Sequence, residues 1–135
     1  MEFFKEVIRC RNSTNEYLKL HDDSLKDLNT LDVLLLDSAE GDIAQAKQFS
    51  ESLNVDPSYI TRRIGALEKS GLIFRMKKGR EKKVRLTDRG REVTSLISSE
   101  KKLLYREVLK EVSPDELETA MKVLKTINTV MIPRR

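Results

Sequence analysis

Two groups of side chains have the types and spacing needed to hold a polyanion. The first is Ser58, Tyr59, Thr61, Arg62, Arg63 and Lys69; the second is Lys77, Lys78, Arg80, Lys82 and Lys83. With Ile60 at zero and about 100° of turn per residue, Ile64 and Leu67 fall within roughly 40° of it and define a buried helix face. Ser58, Arg62, Gly65 and Lys69 then lie within about 40° of the opposite side, with Tyr59 and Thr61 on its flanks near ±100°. Arg62 can donate two hydrogen bonds to guanine O6 and N7, or clamp a phosphate. We assign Ser58, Tyr59, Thr61 and Arg62 to base edges, and Arg63 and Lys69 to phosphates. Arg63 sits nearer the core flank, where an internal carboxylate is its other possible partner. Gly65, with no side chain, lets backbone approach backbone.

The second group crowds five cations into the seven residues from Lys77 to Lys83. Such a cluster repels itself and gains little unless an anion arrives. Arg80, beside Gly79, is placed to enter a minor groove and sense its width. From Pro57 to Arg91 there are 12 Lys and Arg against 3 acidic residues, a net of +9; the remaining 14 basic and 19 acidic residues give −5, and the two sum to +4. A polyanion is therefore drawn to one part of the chain.

The elements that position these groups follow from local signals. Phe4, Val7, Ile8, Leu18 and Leu20 suit a first helix with a polar middle, RCRNSTNE. Leu25 to Ala39 reads as a buried helix ended by Gly41. Ile43, Ala46, Phe49 and Leu53 recur at helical spacing, and Asn54-Val55-Asp56 is a tight connection. Asp56-Pro57 starts the next helix, because Asp caps free N–H groups and Pro at the first position loses none. Ser70-Gly71 ends it, the glycine in the left-handed conformation. Phe74 and Met76 then alternate with Arg75 and Lys77, and Val84 and Leu86 with Lys83 and Arg85, a hairpin with a cationic tip. Thr87-Asp88 caps a long helix with an apolar stripe of Val93, Leu96, Ile97, Leu103, Leu104, Val108 and Leu109. Ser113-Pro114-Asp115-Glu116 is a capping box for a last helix, which carries Leu117, Met121, Leu124, Ile127, Val130 and Met131 inward.

At 135 residues, with 39% apolar and 36% charged residues, the chain reads as one soluble, mainly α domain with a two-stranded β-wing. Its longest apolar run, Val33 to Leu36, is far short of a membrane span, and MEFFKEVIRC is no secretory signal. One cysteine excludes an internal disulfide and fits a reducing cytosol. Few aromatics and no tryptophan argue against stacking on single strands, which makes duplex DNA the better polyanion. The sequence carries no glycine-rich phosphate loop, nucleophile elbow or metalloprotease motif, so no enzyme and no cofactor are expected.

The run from Leu28 to Arg91 resembles the MarR family of bacterial transcription regulators. The resemblance is carried by Leu53-Asn54-Val55, Ser58 to Thr61, Leu67-Glu68-Lys69-Ser70-Gly71-Leu72-Ile73 and Val84-Arg85-Leu86-Thr87-Asp88-Arg89-Gly90. It implies a winged helix-turn-helix lobe over about residues 28–91, with dimerisation helices over about 1–24 and 92–135 of a single 1–135 domain. It also implies a cytoplasmic homodimer, the two halves of a pseudo-palindrome being read by recognition helices about 34 Å apart, and a cleft for a small-molecule effector. The family wing usually carries Asp-x-Arg. Here Arg80 takes the Arg position and Lys78 stands where the Asp would brace the wing. Minor-groove insertion by Arg80 carries over; the brace does not, unless Glu81 supplies it, so the wing is expected to be more mobile without DNA.

Cys10, between Arg9 and Arg11, is a candidate redox sensor with Tyr17 as a possible hydroxyl partner, but the apolar cysteine motif of peroxide sensors is missing. His21-Asp22-Asp23 is a poor start for a metal site, since the chain has one histidine and one cysteine. The expected function is a sequence-specific duplex-DNA regulator, a dimeric repressor. Two alternatives remain: a low-specificity architectural DNA protein, and a winged-helix module whose basic face meets an acidic protein.

Overall fold

The computed structural model describes residues 2–21, 25, 27–40, 46–78 and 81–132; within them, the side chains of residues 20–21, 38, 40, 46–49, 77–78 and 81–83 are outside the description. The elements run α1 (Glu2–His21), α2 (Thr30–Glu40), α3 (Ala46–Leu53), α4 (Pro57–Lys69), β1 (Ile73–Lys78), β2 (Glu81–Leu86), α5 (Asp88–Glu111) and α6 (Pro114–Met131). This is the expected order of four helices, a wing and two helices. The chain divides into two compact units, Met1–Ile97 and Ser98–Arg135.

In the first unit, α1 runs unbroken through its polar middle, where Thr14 and Asn15 have partners. The Thr14 hydroxyl donates to the Cys10 carbonyl, and Asn15 Oδ1 accepts from both the N–H and the hydroxyl of Thr30 (3.0 and 2.7 Å). Helix α2 starts at Thr30 rather than Leu25. Asn29 caps it, exchanging bonds with Asp32: Asn29 N–H donates to Asp32 Oδ2 and Asp32 N–H to Asn29 Oδ1, both at 2.9 Å. Leu25 and Leu28 are nevertheless buried, as core residues of the segment before the helix. Gly41 and Ile43 lie outside the described residues.

The core joins Leu18, Leu25, Val33 and Leu36 to Ile60, Ile64 and Leu67 of α4, Ile73 and Leu86 of the wing base, and Val93 and Ile97 of α5. Each such side chain contributes roughly 1.5–3 kcal/mol by leaving water. The three core-facing residues of α4 are those at the expected spacing. The strands pair antiparallel, Ile73 opposite Leu86 and Arg75 opposite Val84, so this face lies on the core; Phe74 and Met76 stand on the other face, each 41% exposed. Further out, Lys77 pairs with Lys82 and Lys78 with Glu81 in the register. Gly79 and Arg80 are outside the described residues, as is the expectation about wing mobility.

Thr87 ties the wing base to α5. Its hydroxyl donates to the Gly71 carbonyl and accepts from Gly90 N–H (3.0 Å), capping the helix as expected, while its own N–H bonds the Leu72 carbonyl (3.1 Å).

In the second unit, residues 98–111 continue α5, and α6 opens on the expected capping box. Ser113 Oγ accepts from Glu116 N–H, and Glu116 Oε1 accepts from Ser113 N–H. None of the α6 residues is buried. Met121, Leu124, Val130 and Met131 are exposed in the single chain, as are Leu103 and Leu104, so these stripes do not point into a core of their own unit. Among the described residues of this unit nothing buries them.

Candidate nucleic-acid interface

Helix α4 carries the first group of candidate residues, and its two ends are fixed locally. Asp56 accepts from the N–H and hydroxyl of Ser58 (2.8 and 2.7 Å), which holds its carboxyl below the ordinary value, the hydroxyl bond contributing most. Pro57 occupies the first turn. The preceding corner needs Asn54 at φ 55°, a left-handed conformation that asparagine tolerates. At the other end Leu72 N–H reaches the Leu67 carbonyl and Gly71 N–H the Glu68 carbonyl, both at 3.0 Å, with Gly71 at φ 79°. That double closure is the left-handed glycine stop expected from Ser70-Gly71.

Ser58, Thr61, Arg62 and Lys69 are exposed on α4, on the side away from Ile60, Ile64 and Leu67. Both hydroxyl protons are engaged locally, Ser58 to Asp56 and Thr61 to the Pro57 carbonyl at 3.0 Å. Their lone pairs remain, and these suit amino donors such as adenine N6 or cytosine N4. A Cβ added at Gly65 would meet nothing within 4 Å, so this position leaves open space on the helix.

Two residues are placed differently from expectation. Arg63 is not an outward phosphate clamp: its Nε and Nη2 donate to Asp32 Oδ1 and Oδ2 at 2.8 and 2.7 Å. Asp32 is fully buried and the Arg63 side chain is 26% exposed, so this is the internal carboxylate that the core-flank position allowed. The Asp32 bond raises the Arg63 pKa further above its already high value. Tyr59 is half-buried, and its hydroxyl accepts from Asn29 Nδ2 at 3.2 Å. The Arg62 guanidinium carbon lies 5.6 Å from the Tyr59 ring centroid, a cation–π distance. Tyr59 therefore supports Arg62 instead of standing free.

Asp32 and Asn29 were missed by the sequence reading. The signal was Asn-x-x-Asp, a helix-start pattern inside an otherwise apolar run. On the wing, Arg75 is 3.4 Å from Glu68, linking β1 to the last turn of α4. The backbone positions of Lys77, Lys78, Lys82 and Lys83 lie in paired strands that follow α4 directly.

Cys10 is exposed on α1; Arg9 beside it bonds Glu6 at 3.4 Å, and Tyr17 is two helical turns away, about 10 Å along the axis. The His21 side chain, Asp22 and Asp23 lie outside the described residues. Among the described residues no helix is long and apolar enough to cross a membrane.

The family model for the MarR family matches residues 29–84, the span from the α2 cap into β2. That span, residues 29–84, is a MarR-family segment. The HTH-type transcriptional regulator YdgJ of Bacillus subtilis (strain 168) is 32% identical over 97 residues, 70% of this chain and 58% of that protein. This chain therefore matches less than two thirds of that relative's length. Among solved structures, the transcriptional regulator SlyA superposes with a TM-score of 0.79 at 18% identity, over 97% of this chain and 94% of that one. A putative MarR family regulator from Listeria monocytogenes, complexed with 26mer DNA, gives 0.76 at 18% identity, over 95% and 87%. At such identities these structures share the MarR winged-helix fold with this chain.

Proposed function

We propose that this chain is a sequence-specific, double-stranded DNA-binding transcription regulator that acts as a cytoplasmic homodimeric repressor at a pseudo-palindromic operator. The observation that carries the reading is the exposed row Ser58, Thr61, Arg62 and Lys69 on α4, followed at once by a wing rich in cations. In this reading Ser58, Thr61 and Arg62 face base edges, and Lys69 with Lys77, Lys78, Arg80, Lys82 and Lys83 holds phosphates and the minor groove. The relative solved with 26mer DNA supports duplex DNA as the partner. Homodimerisation is supported by the exposed Phe3, Phe4, Val7 and Ile8 of α1 and by Met121, Leu124, Val130 and Met131 of α6. Apolar surface of that extent gains stability by meeting a second copy. A small-molecule effector and a non-enzymatic role belong to the same proposal.

The test is a fluorescence-anisotropy titration of the full chain against the DNA upstream of its own gene and against a scrambled duplex, at about 150 mM salt. The expected result is a preference of about a thousandfold for the upstream DNA, saturating at two chains per duplex. A second reading, low-specificity architectural binding, is favoured by one observation: Tyr59 and Arg63 are engaged internally, which leaves more wing cations than base-facing groups. Equal affinity for both duplexes, and for other operator candidates, would select it. Failure to bind either would select a protein partner.

A further inference from the structure

We infer that Asn29 and Asp32, at the first turn of α2, are specificity-determining positioning residues that fix where Arg62 stands on the outward face of α4. The inference rests on the regulator reading above and names how its base recognition is held in place. Besides the Val33 N–H that its carbonyl accepts at 3.2 Å, Asn29 makes three polar contacts: its N–H and Oδ1 close the exchange with Asp32, and its Nδ2 donates to the Tyr59 hydroxyl at 3.2 Å. The Tyr59 ring, held at that end, lies under Arg62 at 5.6 Å. Four residues on from Tyr59, Arg63 is clamped to Asp32 through two bonds of 2.8 and 2.7 Å. Residues four apart share a helix face, so α4 is held to one small cap at two successive turns. Turning or sliding α4 would break the two-pronged Arg63 geometry and the Tyr59 bond together.

A structural role alone accounts poorly for this arrangement. A buried ion pair is a weak source of stability, because desolvation offsets most of its attraction, and apolar residues of similar size serve as well. Directional contacts, by contrast, fix geometry. Two-pronged recognition of a base edge by Arg62 demands that its guanidinium start from one place and one orientation. Released from Asn29, the Tyr59 ring could leave Arg62 free to sample more rotamers. Its attraction to phosphates would survive, while its choice among bases would weaken.

The experiment uses the full chain and a duplex enriched from a randomised pool by the wild-type protein, with a scrambled copy as control. Asn29→Ala, Tyr59→Phe, Arg62→Ala and the Asn29→Ala/Arg62→Ala pair are titrated at several salt concentrations. Asn29→Ala and Tyr59→Phe should each lose roughly three- to tenfold of the preference, the size of one hydrogen bond. Their salt slopes should match wild type, and the double variant should discriminate no worse than Arg62→Ala. Undiminished preference in Asn29→Ala, or losses that add fully to those of Arg62→Ala, would overturn the inference. A larger loss in Tyr59→Phe than in Asn29→Ala would overturn it as well, by making the hydroxyl itself a base contact. No enriched duplex for the wild type would instead remove the regulator reading, and this inference with it.

Discussion

Gly90 of α5 lies against the backbone of Leu72: a Cβ at position 90 would sit 2.0 Å from the Leu72 carbonyl oxygen and 3.0 Å from its carbonyl carbon. Backbone cannot step aside as a side chain tip can. Gly90→Ala should therefore force α5 off the wing base and destabilise the chain by about 1–3 kcal/mol or more. At this size each kcal/mol lowers Tm by roughly 3–6 °C, a shift readable by calorimetry. Gly65→Ala is the contrast. With open space around it, a Cβ there should stabilise α4 by about 0.5–1 kcal/mol while weakening duplex binding, if DNA backbone comes close. Both variants moving Tm in the same direction would contradict the packing argument.

The Asp32–Arg63 pair should behave as a unit. Arg63→Met strands a fully buried carboxylate and should cost about 3–5 kcal/mol in urea unfolding. The paired variant Asp32→Leu/Arg63→Met should recover most of that loss, because neither charge is left bare. Additive single losses in the double-mutant cycle would show that the two groups do not act on each other.

Arg62 and Lys82 should separate reading from gripping. Arg62→Ala is expected to cost about 1–3 kcal/mol on a preferred duplex and to relax base preference. Lys82→Ala should weaken all sequences alike and reduce the slope of log K against log salt by about 0.9. Titrations at three salt concentrations distinguish the two outcomes, and identical behaviour would remove the division of labour.

Acid should loosen two helix starts. The carboxyl groups of Asp56 and Glu116 are both held below their ordinary values of 3.8 and 4.5, by bonds from Ser58 and Ser113 respectively. A depressed carboxyl stabilises the fold above the unfolded-state value, and that contribution fades as pH falls through the lower folded-state value. Asp56→Asn and Glu116→Gln should each flatten the loss of thermal stability below about pH 4.5, while changing little between those variants and wild type once both carboxyls are protonated. An unchanged acid slope in both would contradict the capping account.

The contrast between what was legible and what was not follows sequence distance. The starts of α4 and α6 are written in adjacent residues, Asp56-Pro57 and Ser113 to Glu116, and Gly71 marks its stop the same way. The wing is legible because strand alternation shows in a few residues. Arg63 and Asp32 lie 31 residues apart, and nothing local tells an arginine on a core flank which carboxylate awaits it. The placement of Tyr59 is illegible for the same reason, since its Asn29 partner is 30 residues away. An apolar run places the start of α2 too early, because Leu25 and Leu28 are as buried as helix residues without being in the helix. The stripes of α5 and α6 were visible as patterns, but a pattern does not say whether its cover comes from the same chain.

The buried pair also bears on how this sequence can drift. A lineage that altered Asp32 first, or Arg63 first, would pass through a form carrying a stranded charge, so the two positions should change rarely and together. The wing faces no such barrier. In the proposed role each of its lysines adds one increment of attraction to phosphate, so losing one at a time should be tolerable. Descendants of this chain should therefore vary in how tightly they hold DNA well before they vary in how α4 is mounted.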